Sequence, residues 1–203
     1  MSRRRFAFLG VALLAAGTVP SLRTWLEADM ARHMLMQFPL LILTGAAFAS
    51  ALPARLRGAV AAVNAHGLAG LLFCLLVSAF WMVPRALDQA LLSPPVEIAK
   101  IAALLVAGGA LRLSWRPAGI VVQTFFIGNW AWMTAVVGLL YQDMSTRLCN
   151  GYLLDQQVIA GQGLVALAIV LPTAFIALLA KRGVLAGDAS EATQGYPTGS
   201  TAQ

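Results

Sequence analysis

The stretch Asp29-Met30-Ala31-Arg32-His33-Met34 crowds a carboxylate, an imidazole and two thioethers into little more than one helical turn. Helical positions four apart share a face, so Asp29 stacks with His33, and Met30 with Met34. Thioether and imidazole suit a soft ion such as Cu(I), whereas carboxylates suit harder cations. Met82, in Trp81-Met82-Val83-Pro84, and Glu97, three residues before Lys100, add one ligand of each kind. His33, Met82, Asp29, Met30, Met34 and Glu97 are therefore the candidate metal ligands. The plainer reading stands beside this one. Methionine is also a common apolar filler, and Asp29 and Glu97 have Arg32 and Lys100 at ion-pairing distance along a helix.

A second polar group joins Asp155, Gln156 and Gln157 to Asp88. An acid at a helix entrance inside a membrane bundle is a functional candidate by default; it is also what the helix dipole favours at any N-terminus. Cys74 lies in an apolar run and reads as a packing residue. Cys149 lies in a connecting segment, where a free thiol, a disulfide partner and a soft ligand are all open.

The elements that must position these groups follow from composition. The 203 residues are 60% hydrophobic and only 11% charged, with a mean hydropathy of +0.79. A soluble domain carries about 25% charged residues, and apolar runs of about 20 residues recur, enough to cross a bilayer core. The expected fold is all-α, a polytopic transmembrane bundle of six spans: Phe6–Leu22, His33–Leu52, Gly58–Val83, Val96–Leu113, Gly119–Tyr141 and Leu154–Ala180. Residues 1–186 form the transmembrane domain and 187–203 a polar, disordered tail. The basic start of the chain reads as the flank of a membrane anchor rather than as a cleaved signal.

Six spans imply an alternation of charge, since basic residues accumulate on the cytoplasmic side. With both termini inside, Arg3, Arg4, Arg5, Arg55, Arg57, Arg112, Arg116, Lys181 and Arg182 are cytoplasmic, against Arg23, Arg32, Arg85 and Arg147 outside. This pattern fits a multi-pass protein of a bacterial-type inner membrane. Six of the eight acidic residues gather at the outer ends of the helices. The net charge of +6 thus reads as topology, and no nucleic-acid partner is expected; membrane lipid is.

The order of the motifs resembles the CtaG-type cytochrome c oxidase assembly factors. That family's H-M-x-x-H-M-L is similar to Asp29-Met30-Ala31-Arg32-His33-Met34-Leu35, its W-H-x-P to Trp81-Met82-Val83-Pro84, and its D-Q-Q-x-x-G to Asp155-Gln156-Gln157, with Gly161 one residue later than in the family. Glu97 and Ile101 stand where the family repeats histidine. The resemblance implies an accessory membrane protein, not an enzyme, that handles copper at the outer face. Its implied partner is a haem-copper oxidase subunit or a periplasmic copper carrier. Of the family's histidines only His33 remains, so copper is an expectation of the resemblance and not of these residues.

Two other classes stay open: a structural or interaction protein that has lost metal binding, and a proton- or quinone-linked membrane redox protein. No haem is expected, because His33 and His66, the two histidines, fall in opposite halves of the bilayer. No nucleotide-binding loop, zinc-protease helix or nucleophile elbow is present.

Overall fold

The computed structural model describes residues 2–181 and 183; the expected tail, 187–203, lies outside the described residues. Every regular element among the described residues is a helix. In chain order these are α1 Arg3–Thr18, α2 Pro20–Glu27, α3 Met30–Ala51, α4 Ala54–Val63, α5 Leu68–Trp81, α6 Pro84–Leu92, α7 Pro94–Ser114, α8 Gly119–Asp143 and α9 Leu154–Lys181. Three of them, α3, α8 and α9, are long and apolar enough to cross a membrane, and there are up to five crossings if each bent pair, α1 with α2 and α4 with α5, counts as one.

Two of the six expected helices are thus broken. The first turns by 61° between α1 and α2, where Pro20 opens a new helix and disfavours helical backbone in the residue before it. The expected Gly58–Val83 helix turns by 87° between α4 and α5. Its corner is Asn64-Ala65-His66-Gly67, with Gly67 at φ +69°, a conformation that glycine adopts without a Cβ penalty. Asn64 clasps this corner: its Nδ2 donates to Ser114 Oγ at 2.7 Å, and its Oδ1 accepts from Gly70 N at 3.2 Å. Asn64 and His66 therefore belong to a corner rather than to the interior of a spanning helix. Pro84–Leu92, expected as a connection, is a short helix, opened by a proline whose missing N–H costs nothing at that position.

The site rests on two helix pairs brought together by small residues. Along α3 and α7, a Cβ on Gly45 would strike the Leu105 carbonyl, and one on Gly108 would strike the Ile42 carbonyl. The two helices run side by side in the same direction, so their first turns meet at one end and their last turns at the other. Along the α8–α9 hairpin, Gly138 and Gly161 approach each other's carbonyls in the same way. Such contacts let backbones close in where lipid supplies no hydrophobic drive between helices.

Within α3, residues His33–Gln37 form a π-helical turn. Its physical cause is Pro39, which has no N–H for the carbonyl four residues back and whose ring clashes with it. The widened turn closes with Phe38 N donating to the His33 carbonyl instead. His33 and Gln37, at the two ends of this turn, are both fully buried.

Candidate functional site

The first turns of α3 and α7 place a lysine at the centre of a polar cluster. Lys100 is fully buried, and its Nζ lies 2.9 Å from Glu27 Oε1, 2.9 Å from His33 Nε2 and 3.1 Å from Gln37 Oε1. An ammonium has three N–H donors and no acceptor. Three donors meet three acceptors, so the charged amine is fully satisfied without water. Gln37 completes the ring, its Nε2 donating to Glu27 Oε1 at 3.0 Å and to the Gly17 carbonyl at 3.3 Å.

This arrangement assigns the imidazole tautomer. With Nε2 accepting from Lys100, the ring proton of neutral His33 sits on Nδ1 and is donated to the Tyr152 hydroxyl, 2.6 Å away. Phe38 packs edge-on against the ring at 5.4 Å. Both nitrogens of His33 are engaged.

The outer shell balances charge. Arg23 Nη1 is 2.9 Å from Glu97 Oε1, and Arg23 Nε is 3.6 Å from Glu27 Oε2. These contacts are electrostatic rather than well-aligned hydrogen bonds. Glu27 and Glu97 thus face Arg23 and Lys100, two charges of each sign. Pairing of this completeness is what a desolvated ammonium requires.

Tyr152 reaches His33 from the α8–α9 connection, which is fixed by buried polar groups. Asp88 of α6 accepts from Asn150 N at 2.7 Å and Gly151 N at 3.2 Å. Gln157 accepts from Leu148 N at 2.8 Å and donates to the Tyr141 carbonyl at 3.0 Å. The Tyr141 hydroxyl donates to the Met82 carbonyl at 2.7 Å. Burial, then the neighbouring Glu27 carboxylate, holds the Tyr152 phenol well above its usual range. Burial, then Asp88, pushes the Cys149 thiol up to about 12. Cys74 and Cys149 are both buried free thiols.

The expected ligands share one end of the molecule, where they take different partners. His33 and Glu97 belong to the network. Glu97 pairs with Arg23 in place of Lys100, and Lys100 takes Glu27 instead. Asp29 turns to cap its own helix, its Oδ1 accepting from Arg32 N at 3.1 Å and lying 4.0 Å from Arg32 Nε. Met30, Met34 and Met82 lie in the apolar core with Leu41, Leu87 and Leu104. Asp88 and Gln157 hold the connection that carries Tyr152; Gln156 accepts from Leu153 N at 3.4 Å, and Asp155 is exposed in the first turn of α9. Among the described residues, no three His, Cys, Asp or Glu side chains stand close enough to share a metal ion. The copper set does not fit as folded, because Lys100 and Tyr152 use both His33 nitrogens and the thioethers are packed in the core.

Glu27, Arg23, Gln37, Lys100 and Tyr152 are the network members that were not among the candidate site residues, Lys100 having entered only as an ion-pair partner of Glu97. Gln37 carried a signal, being four residues after His33 on an apolar helix. Arg23 and Tyr152 come from a bent segment and a connection, where no periodicity reports direction. Comparison with known family models, with curated proteins and with solved structures finds no match.

Proposed function

We propose that this chain is a non-enzymatic, six-crossing membrane accessory protein whose polar site carries its own cation, the Lys100 ammonium, where a metal-handling relative would carry an ion. The observation behind this reading is the match of three ammonium donors to Glu27, Gln37 and His33. In this reading α7 is the sixth crossing: at about 1.5 Å per residue, its 21 residues reach across a hydrocarbon core of about 30 Å. The arginine-rich end faces the cytoplasm by the positive-inside tendency, which turns the Lys100 site outward. The network then ties α2, α3, α7 and the α8–α9 connection into one rigid face. Such a face suits a scaffold for a partner, and the motif resemblance points to a haem-copper oxidase subunit as that partner. A proton route is less well supported, since the hydrogen bonds leading inward from Gln37 end on the Gly17 carbonyl.

The test is the metal content of protein purified without added metal, followed by Cu(I) titration of wild type, His33→Ala and Lys100→Ala. Wild type and His33→Ala take up no stoichiometric copper. Lys100→Ala, which leaves imidazole, carboxylate and amide facing a gap, gains weak binding. One equivalent of copper in wild type, lost in His33→Ala, would overturn the reading.

A further inference from the structure

At the other end of the bundle, three arginines from two separate stretches of chain face one cavity. Arg57 of α4, Arg112 at the end of α7 and Arg116 in the α7–α8 connection line a space of about 260 Å³, together with Asn64, Val60 and Pro117. All three side chains are exposed. Arg112 Nε donates to Ser50 Oγ at 2.9 Å. Among the described residues no carboxylate lies within ion-pairing distance of any of the three. The six acidic residues that the structure describes all sit at the Lys100 end: Glu27, Asp29, Asp88, Glu97, Asp143 and Asp155. The cavity is therefore a concentration of guanidinium donors with no internal counter-charge.

Helix α4 says which anion belongs there. It has no buried residue and meets α5 at 87°, so within the α4–α5 crossing α5 is the upright part and α4 lies along the membrane plane at its foot. Leu56, Val60 and Val63 fall on one face at the i, i+4, i+7 spacing, and Leu56 and Val63 are 52% and 82% exposed. A short helix with an apolar stripe and basic neighbours beds at the boundary between headgroups and acyl chains. Arg57 follows Leu56 directly, so it stands at phosphate depth. Guanidinium groups bind phosphate oxygens through paired N–H donors, and basic pockets between transmembrane helices take anionic lipid headgroups.

We propose that Arg57, Arg112 and Arg116 form a binding site for the phosphate of an anionic phospholipid headgroup, with α4 lying beside its acyl chains. This site is independent of the Lys100 network. Its occupant ties α4, which has no buried residue of its own, to the α7–α8 connection.

The test is native mass spectrometry of the full chain in detergent with added phosphatidylglycerol, phosphatidylcholine or inorganic phosphate. Wild type retains phosphatidylglycerol in preference to phosphatidylcholine. Each arginine-to-glutamine change weakens retention about fivefold, the effect of about 1 kcal/mol per basic residue near an anionic surface, and the triple change about a hundredfold. Arg85→Gln, at the opposite end, leaves retention unchanged. Thermal unfolding confirms that the triple variant is folded. Equal retention by wild type and the triple variant, an equal loss in Arg85→Gln, or saturation by inorganic phosphate alone would each overturn the proposal.

Discussion

The two ends of this molecule handle charge in opposite ways. At the Lys100 end, Lys100, His33 and Gln37 are withdrawn from water, Glu27 is half-buried, and every donor of the ammonium has a partner. At the arginine end, Arg57, Arg112 and Arg116 stay exposed, and among the described residues none has a carboxylate partner. The difference is one of dielectric. A charge in the interior must be matched by the protein itself, since leaving it unpaired costs several kcal/mol. A charge at the surface is screened and contributes little to stability, which leaves it available to the membrane. One end therefore spends its charges on its own rigidity, and the other leaves them for the membrane.

Mutations at the two ends should separate accordingly. Removing one partner of the buried pair, as in Glu27→Ala, is expected to cost about 3–5 kcal/mol in detergent unfolding, against about 0.5 kcal/mol or less for Arg116→Gln. The doubly neutral Glu27→Gln/Lys100→Met should be more stable than either single variant; additive losses would erase the contrast. Gly108→Val drives a side chain into the Ile42 carbonyl and should cost about 1–3 kcal/mol by prising α3 from α7, whereas Gly58→Ala, which meets nothing within 4 Å, should stabilise α4 by up to about 1 kcal/mol.

Asp88→Asn sharpens the contrast within the Lys100 end. It weakens the two backbone hydrogen bonds that hold the α8–α9 connection and should cost about 1–3 kcal/mol, while speeding alkylation of Cys149. The last effect is confined to alkaline pH. The folded Cys149 thiol holds its proton up to about 12, against 9.0 for the ordinary group, so its contribution is complete below pH 9 and fades as pH rises toward 12. Cys149→Ala should shrink the part of that alkaline loss that begins above pH 9. An unchanged alkaline profile would show that Cys149 is not the group responsible.

Much of the architecture was legible because lipid restricts the backbone to a few forms. The runs around Leu41, Val136 and Leu164 could be little other than long helices. The broken helices were harder to read, because Pro20 and Gly67 each act through a single local dihedral that a hydropathy window averages away. His33 and Glu97 belong to the polar site, but their partners could not be read from sequence. The i, i+3 spacing pairs Glu97 with Lys100, whereas the close approach of α3 and α7 at Gly45 and Gly108 hands Lys100 to Glu27 and His33. Tyr152 was invisible for the same reason: its position depends on Asp88 and Gln157 folding a connection that has no period of its own.

The central claim is that the lysine ammonium satisfies the site and thereby fixes the imidazole. With His66→Gln, His33 is the one remaining histidine, so its ¹⁵N spectrum in histidine-labelled protein can be read without overlap. At neutral pH the account predicts a neutral ring with its proton on Nδ1 and Nε2 as an unmetallated acceptor. A proton on Nε2, or a metal-shifted Nε2 resonance, would contradict it.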